Sequence, residues 1–158
     1  MTSGDFIIAE IEGFLINCYN EESRLEDIFM NIIMENKIMM DGDMDLVHEE
    51  VEGQYREKGG FTYLIYTNAE DEKVILKCNQ DELTVTRFSK PQSIMKFERN
   101  NFAAAQIPSP VGLQRLVTKT THFDLNKEDR TLILHYQLLP HPDADQALAD
   151  YQMRLTWN

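Results

Sequence analysis

Gly53-Gln54-Tyr55-Arg56-Glu57-Lys58-Gly59-Gly60-Phe61-Thr62-Tyr63-Leu64-Ile65-Tyr66 decides how the rest of the chain is read. Two runs rich in aromatic and β-branched residues flank a Gly-Gly pair, the pattern of an antiparallel hairpin. Glycine reaches positive φ without a Cβ clash, so the pair suits a tight connection whose twist matches that of its strands. Downstream of this ribbon the sequence reads as strand after strand, and no motif in it carries recognisable chemistry.

Period-two alternation, broken by turn residues, predicts strands over 30–40, 44–57, 61–67, 73–79, 83–88, 92–98, 102–107, 113–123, 130–139 and 151–157. Asp41-Gly42-Asp43, Gly59-Gly60, Ser89-Lys90-Pro91 and Pro108-Ser109-Pro110 are the clearest interruptions. The polar stretch 140–150 reads as a loop in which 144–149 can take a helical turn. By parity, Val74, Leu76 and Cys78 share one face, as do Leu83, Val85 and Arg87, and Met95 and Phe97 point inward. The expected fold is all-β: an antiparallel up-and-down barrel of about eight to ten strands, which removes exposed edges and whose interior is filled or holds one small ligand.

The first 29 residues differ from this pattern. They hold seven acids (Asp5, Glu10, Glu12, Glu21, Glu22, Glu26, Asp27) against one base, Arg24, a net charge of -6 out of -12 for the whole chain. Phe6, Ile7, Ile8, Ile11, Phe14, Leu15 and Ile16 fall at spacings of three and four, which fits an amphipathic helix, although a strand through 5–11 is also compatible. Two origins are open for this extension: a helix that plugs or caps one end of the domain, or translated upstream sequence ahead of a native start at Met30. Leu25-Glu26-Asp27 can be encoded by a purine-rich ribosome-binding string. The expected organisation is therefore an extension, 1–29, and a barrel domain, 30–158.

At 158 residues and 42% hydrophobic, the chain is long enough for one domain with a sizeable core. Its pI near 4.7 argues against a nucleic-acid partner, which needs clustered Lys and Arg, and against a polybasic membrane anchor. Cys18 and Cys78 form no CxxC pair or Cys/His cluster, so neither a disulfide framework nor a zinc site is indicated. The expectation is a cytoplasmic protein with no cofactor.

Glu57-Lys58-Gly59-Gly60, Tyr63-Leu64-Ile65-Tyr66, Leu83-Thr84-Val85-Thr86-Arg87, Met95-Lys96-Phe97, Pro110-Val111-Gly112, Tyr136-Gln137-Leu138 and Tyr151-Gln152-Met153 occur in that order. Together they resemble the DUF1934 family of small bacterial proteins, and the likeness spans about 30–157. The resemblance implies a lipocalin-like (calycin) barrel and a cytoplasmic protein of Gram-positive bacteria. It carries over no catalytic residue.

Arg87 is the residue of most interest, because its parity with Leu83 and Val85 turns a guanidinium toward the interior, where it needs a partner. One reading is an anion-binding group with Tyr55, Tyr63 and Tyr136 as amphipathic walls; others are a structural ion pair or an exposed strand-end arginine. Asp41, Asp43, Asp45 and Glu52 match part of a calcium-loop template, but Leu46 replaces its required glycine and the flanks alternate like strands. Glu49, Glu50 and Glu52 read as an exposed rim, His135 points outward, and Ser109 lacks a nucleophile-elbow frame. The leading expectation is a non-enzymatic barrel that binds a small, partly apolar ligand with an acidic group at Arg87. The alternative is an interaction module, such as a homodimer, using strand edges or an outer patch of Tyr66, Ile75 and Phe88.

Overall fold

In the computed structural model, which describes residues 28–158, ten antiparallel strands follow one another without a helix. They are β1 (Phe29–Met40), β2 (Asp43–Lys58), β3 (Phe61–Thr67), β4 (Lys73–Cys78), β5 (Glu82–Arg87), β6 (Ser93–Glu98), β7 (Phe102–Ser109), β8 (Gly112–Asn126), β9 (Thr131–Leu139) and β10 (Ala149–Trp157). Each pairs with its neighbours in the chain, and β1 also pairs with β10, which closes the barrel. Expectations about residues 1–27 lie outside the described residues. The proposed helical turn at 144–149 is absent: Ala149 already opens β10, paired with Leu138 and nearly fully buried.

Turn chemistry sets the hairpins. Gly59 and Gly60 both have positive φ (61° and 83°), as a two-residue connection with both central residues left-handed requires. Because the order is strictly up and down, the turns alternate between two ends. The β2–β3, β4–β5, β6–β7 and β8–β9 connections gather at one end, and the remaining five gather at the other.

The lumen is packed toward the first end. Leu83, Phe123, Leu125, Leu132, Leu155 and Trp157 are each at most 4% exposed and form one cluster with Thr62, Cys78 and Ile32 around it. An irregularity between Thr120 and His122 lets β8 keep an apolar interior along its length: Thr118 and Thr120 face inward before it, Phe123 and Leu125 after it. The β6–β7 seam is thin, with Ile94 opposite Gln106 and Met95 opposite Ala105. There the Thr118 hydroxyl donates to the Lys96 carbonyl at 2.6 Å, reaching past the small side chains of β7.

Parity within β3 is the reverse of what the binding hypothesis requires. Thr62, Leu64 and Tyr66 point into the barrel, opposite Cys78, Leu76 and Val74 of β4. Tyr63 is therefore on the outer surface, near Lys77, and Tyr66 is no part of an outer patch. Ile75 does face outward but is only 4% exposed.

Gly53 marks the closest approach of backbone and core. A Cβ there would lie 2.6 Å from both Ile32 Cδ1 and the Ile65 carbonyl oxygen. The carbonyl belongs to the ladder and cannot yield, so Gly53→Ala is expected to destabilise the protein by about 2–3 kcal/mol, the range of core overpacking. Gly42, with open space around its Cα, is left with backbone strain of about 1 kcal/mol on the same change. Urea unfolding of the two variants checks the difference; equal midpoints would contradict the close approach.

Candidate functional site

At the second end the lumen stays open. Register places Tyr66, Val74, Arg87 and Ser93 side by side on four consecutive strands, all facing inward near the mouth. Behind them lie Leu76, Val85, Met95 and Phe97, with Met34, Met153 and Tyr136 on the far wall. The space enclosed is about 340 Å³. Val85 and Met95 face the lumen yet retain partial exposure, as the walls of an open cup should.

The mouth is polar. Arg87 Nε lies 3.7 Å from Glu72 Oε1, beyond hydrogen-bond length, and is buried with no hydrogen-bond partner. The Asn36 amide oxygen, on the opposite wall, is likewise buried and unpartnered. Asn68 joins Glu72 to the rim through an amide hydrogen bond of 3.1 Å. Glu49 also lines the cavity, so β2 does not carry a uniformly exposed acidic rim: Glu49 shares inward parity with Val51, whereas Glu50 and Glu52 face out.

The aromatic wall is ordered by stacking. Tyr136 stacks on Tyr151 at 4.6 Å with 4° between planes and meets Phe97 edge-on at 4.6 Å. Burial holds the Tyr66 and Tyr136 phenols above the ordinary tyrosine range; Glu49 adds to this at Tyr66, and Tyr151 adds to it at Tyr136. Arg87 opposes the shift at Tyr66.

Of the four residues expected to form a site, Arg87 and Tyr136 meet in this cup. Tyr55 faces the lumen as predicted but near the packed end, where its hydroxyl donates to Glu57 at 2.6 Å; burial first, then this carboxylate, raises its pKa to about 12. Tyr63 is outside. Tyr66, Asn36, Ser93 and the three methionines were missed; parity with Leu64 was the one signal for Tyr66. His122 and His135 approach to 5.0 Å on the outer surface, where burial and the neighbouring ring lower the His135 pKa. Among the described residues no group of three or more His, Cys, Asp or Glu is placed to hold a metal ion. The acidic 41–52 stretch is a strand–turn–strand, without the helices a calcium loop needs.

A closed antiparallel barrel, packed at one end and cupped at the other, is the class of protein these residues define. The chain belongs to the family described as a domain of unknown function, DUF1934, whose sequence profile matches residues 32–155. Its fold is shared by the crystal structure of the ywiB protein from Bacillus subtilis, at 20% identity and a TM-score of 0.70, covering 84% of this chain and 92% of that one. No curated protein matches the sequence at a significant level.

A buried phenol with a raised pKa stabilises the fold below its unfolded value of 10.0, and that stabilisation is lost as pH rises past it. Tyr66→Phe is therefore expected to flatten the loss of stability above pH 10 while leaving the neutral-pH fold intact. Denaturation midpoints measured from pH 9 upward check this; an unchanged slope would mean that the Tyr66 ring is solvated.

Proposed function

We propose that the protein is a binding protein rather than an enzyme, and that the cup takes a small, partly apolar molecule whose acidic group meets Arg87. The observation that carries this reading is the pairing of an open, apolar-walled lumen with a buried guanidinium nitrogen left without a hydrogen-bond partner at its mouth. A buried donor in that condition is costly, and a ligand oxygen relieves the cost. Three methionines supply soft, adaptable contact for the apolar part. The volume is at the lower end of the ~300–1,000 Å³ usual for small-molecule sites, so the ligand is small. The lipocalin-like use of a barrel lumen, implied by the family resemblance, supports the same reading.

The local charge makes the proposal specific. Glu72 and Glu49 flank Arg87, so an anionic ligand competes with one carboxylate and is repelled by the other. Titration with octanoate and its methyl ester, followed by native mass spectrometry and calorimetry, is the test. The acid should bind better than the ester. Arg87→Gln should weaken the acid by about 10- to 100-fold, the worth of a charge-assisted hydrogen bond, and Glu49→Gln should strengthen it. Failure of short and medium-chain acids of any shape to bind, or indifference to both substitutions, would overturn the reading.

A further inference from the structure

We propose that the unpaired edge of β2, residues 44–52, is a strand-addition site for an extended basic segment of another protein. Closure of the barrel does not cover this edge. β2 pairs with β1 from Asp43 to Gln54, but β3 joins its other side only from Gln54, opposite Ile65, to Lys58. Asp43 opposite Met40 closes a two-residue turn, and the Tyr55 N–H donates to the Ile28 carbonyl at 3.0 Å. Odd-numbered residues of β2 therefore direct their backbone groups to β1. Met44, Leu46, His48, Glu50 and Glu52 turn their N–H and C=O groups the other way, where among the described residues no strand meets them. Both faces of the strand are exposed from Asp43 to His48, with Met44 at 57%, Leu46 at 69% and Val47 at 45%. A long, partly apolar edge of this kind is a template for pairing.

Charge names the occupant. The edge carries Asp45, Glu49, Glu50 and Glu52, with Asp43 just ahead of it and no Lys or Arg. His48 lies between Glu35 and Glu50, at 3.7 and 3.8 Å. The β3–β4 connection, at the same end of the barrel, adds Glu70, Asp71 and Glu72. Against these acids stand Lys37 of β1, opposite Leu46, Lys73, and Arg87, which is already ion-paired with Glu72. A groove of about 690 Å³ opens where β2 and β3 part, lined by Glu52, Gly53 and Gln54 on one side and by Ile65, Asp71 and Lys73 on the other. It gives the end of an added strand room. A segment alternating Lys or Arg with apolar residues fits this edge: its backbone makes about ten ladder hydrogen bonds with the five free residues, its cations meet the acids, and its apolar side chains cover Leu46, Val47 and Val51. A second copy would set the same acids against these, which disfavours it as the occupant. Charges on an edge keep unwanted strands away, and here they select by sign. Glu49 is shared with the wall of the cup, but the edge needs no ligand there.

Amide exchange in the free full chain, followed by NMR, should be fast at Leu46, His48 and Glu50 and about tenfold slower at Val47, Glu49 and Val51, which donate to β1. A blocked nonapeptide alternating Lys and Val should slow the first set about tenfold. A fully N-methylated analogue keeps the charges but has no ladder donors; calorimetry should show it about tenfold weaker, and a Glu–Val peptide should not bind. Leu46→Pro removes a free-edge N–H without touching the β1 ladder. It should weaken the Lys–Val peptide about tenfold, with Trp157 fluorescence reporting an intact barrel. No binding of the Lys–Val peptide, or equal affinity for its N-methylated analogue, would overturn the proposal; the second result would leave only unspecific attraction between charges. Slow exchange at Leu46, His48 and Glu50 in the free chain would also overturn it, and a dimer mass in sedimentation would then place a second copy on the edge.

Discussion

Closure of β1 against β10 is the constraint on which the rest of the structure depends. The two ends of the described chain meet there, with reciprocal backbone hydrogen bonds of 2.7 and 3.0 Å between Asn31 and Asn158. A sheet of ten strands left open would present two long edges to other chains. Closed, it has an inside, and the side chains of that inside must either fill it or leave a cavity. Trp157 and Leu155 fill the end nearest this seam. At the other end β2 runs on past its last pairing with β3, at Gln54 and Ile65, so the wall splays and the lumen opens.

That opening explains why the polar residues of the cup are only half satisfied. Arg87 is the last residue of β5, close enough to Glu72 for Coulomb attraction but not for a hydrogen bond through Nε. Its environment includes the ion pair that the sequence offers as one alternative, with Nε left without a hydrogen-bond partner beside the cup. The guanidinium has five donors, and one carboxylate at 3.7 Å does not exhaust them. Tyr66 and Tyr136, protonated throughout the neutral range, add hydroxyls without adding charge.

Much of the ladder was legible because period-two patterning and turn residues agree: β3 was read at its observed limits and most other strands to within one to three residues. The faces of β4, β5, β6 and β9 were also correct, since each has one apolar and one more polar set. β3 defeated the same reading. Phe61, Tyr63 and Ile65 are as apolar as Thr62, Leu64 and Tyr66, and both faces of the strand are covered at its centre. When burial is two-sided, alternation carries no sign, so Tyr63 was placed inside and Tyr66 outside. Glu49 was misjudged for a related reason, because three acids in four residues hide the one that shares parity with Val51.

The sequence by itself determined an all-β chain of successive hairpins, its turns, and the inward parity of Arg87 and Tyr136, because these follow from local backbone preference and side-chain alternation. Tertiary structure decided which tyrosines share the cup, that the lumen is packed at one end and open at the other, and that an outward stripe on β3–β5 is buried. Those properties depend on the stagger between distant strands and on how far each runs past its neighbour, and no local pattern encodes either.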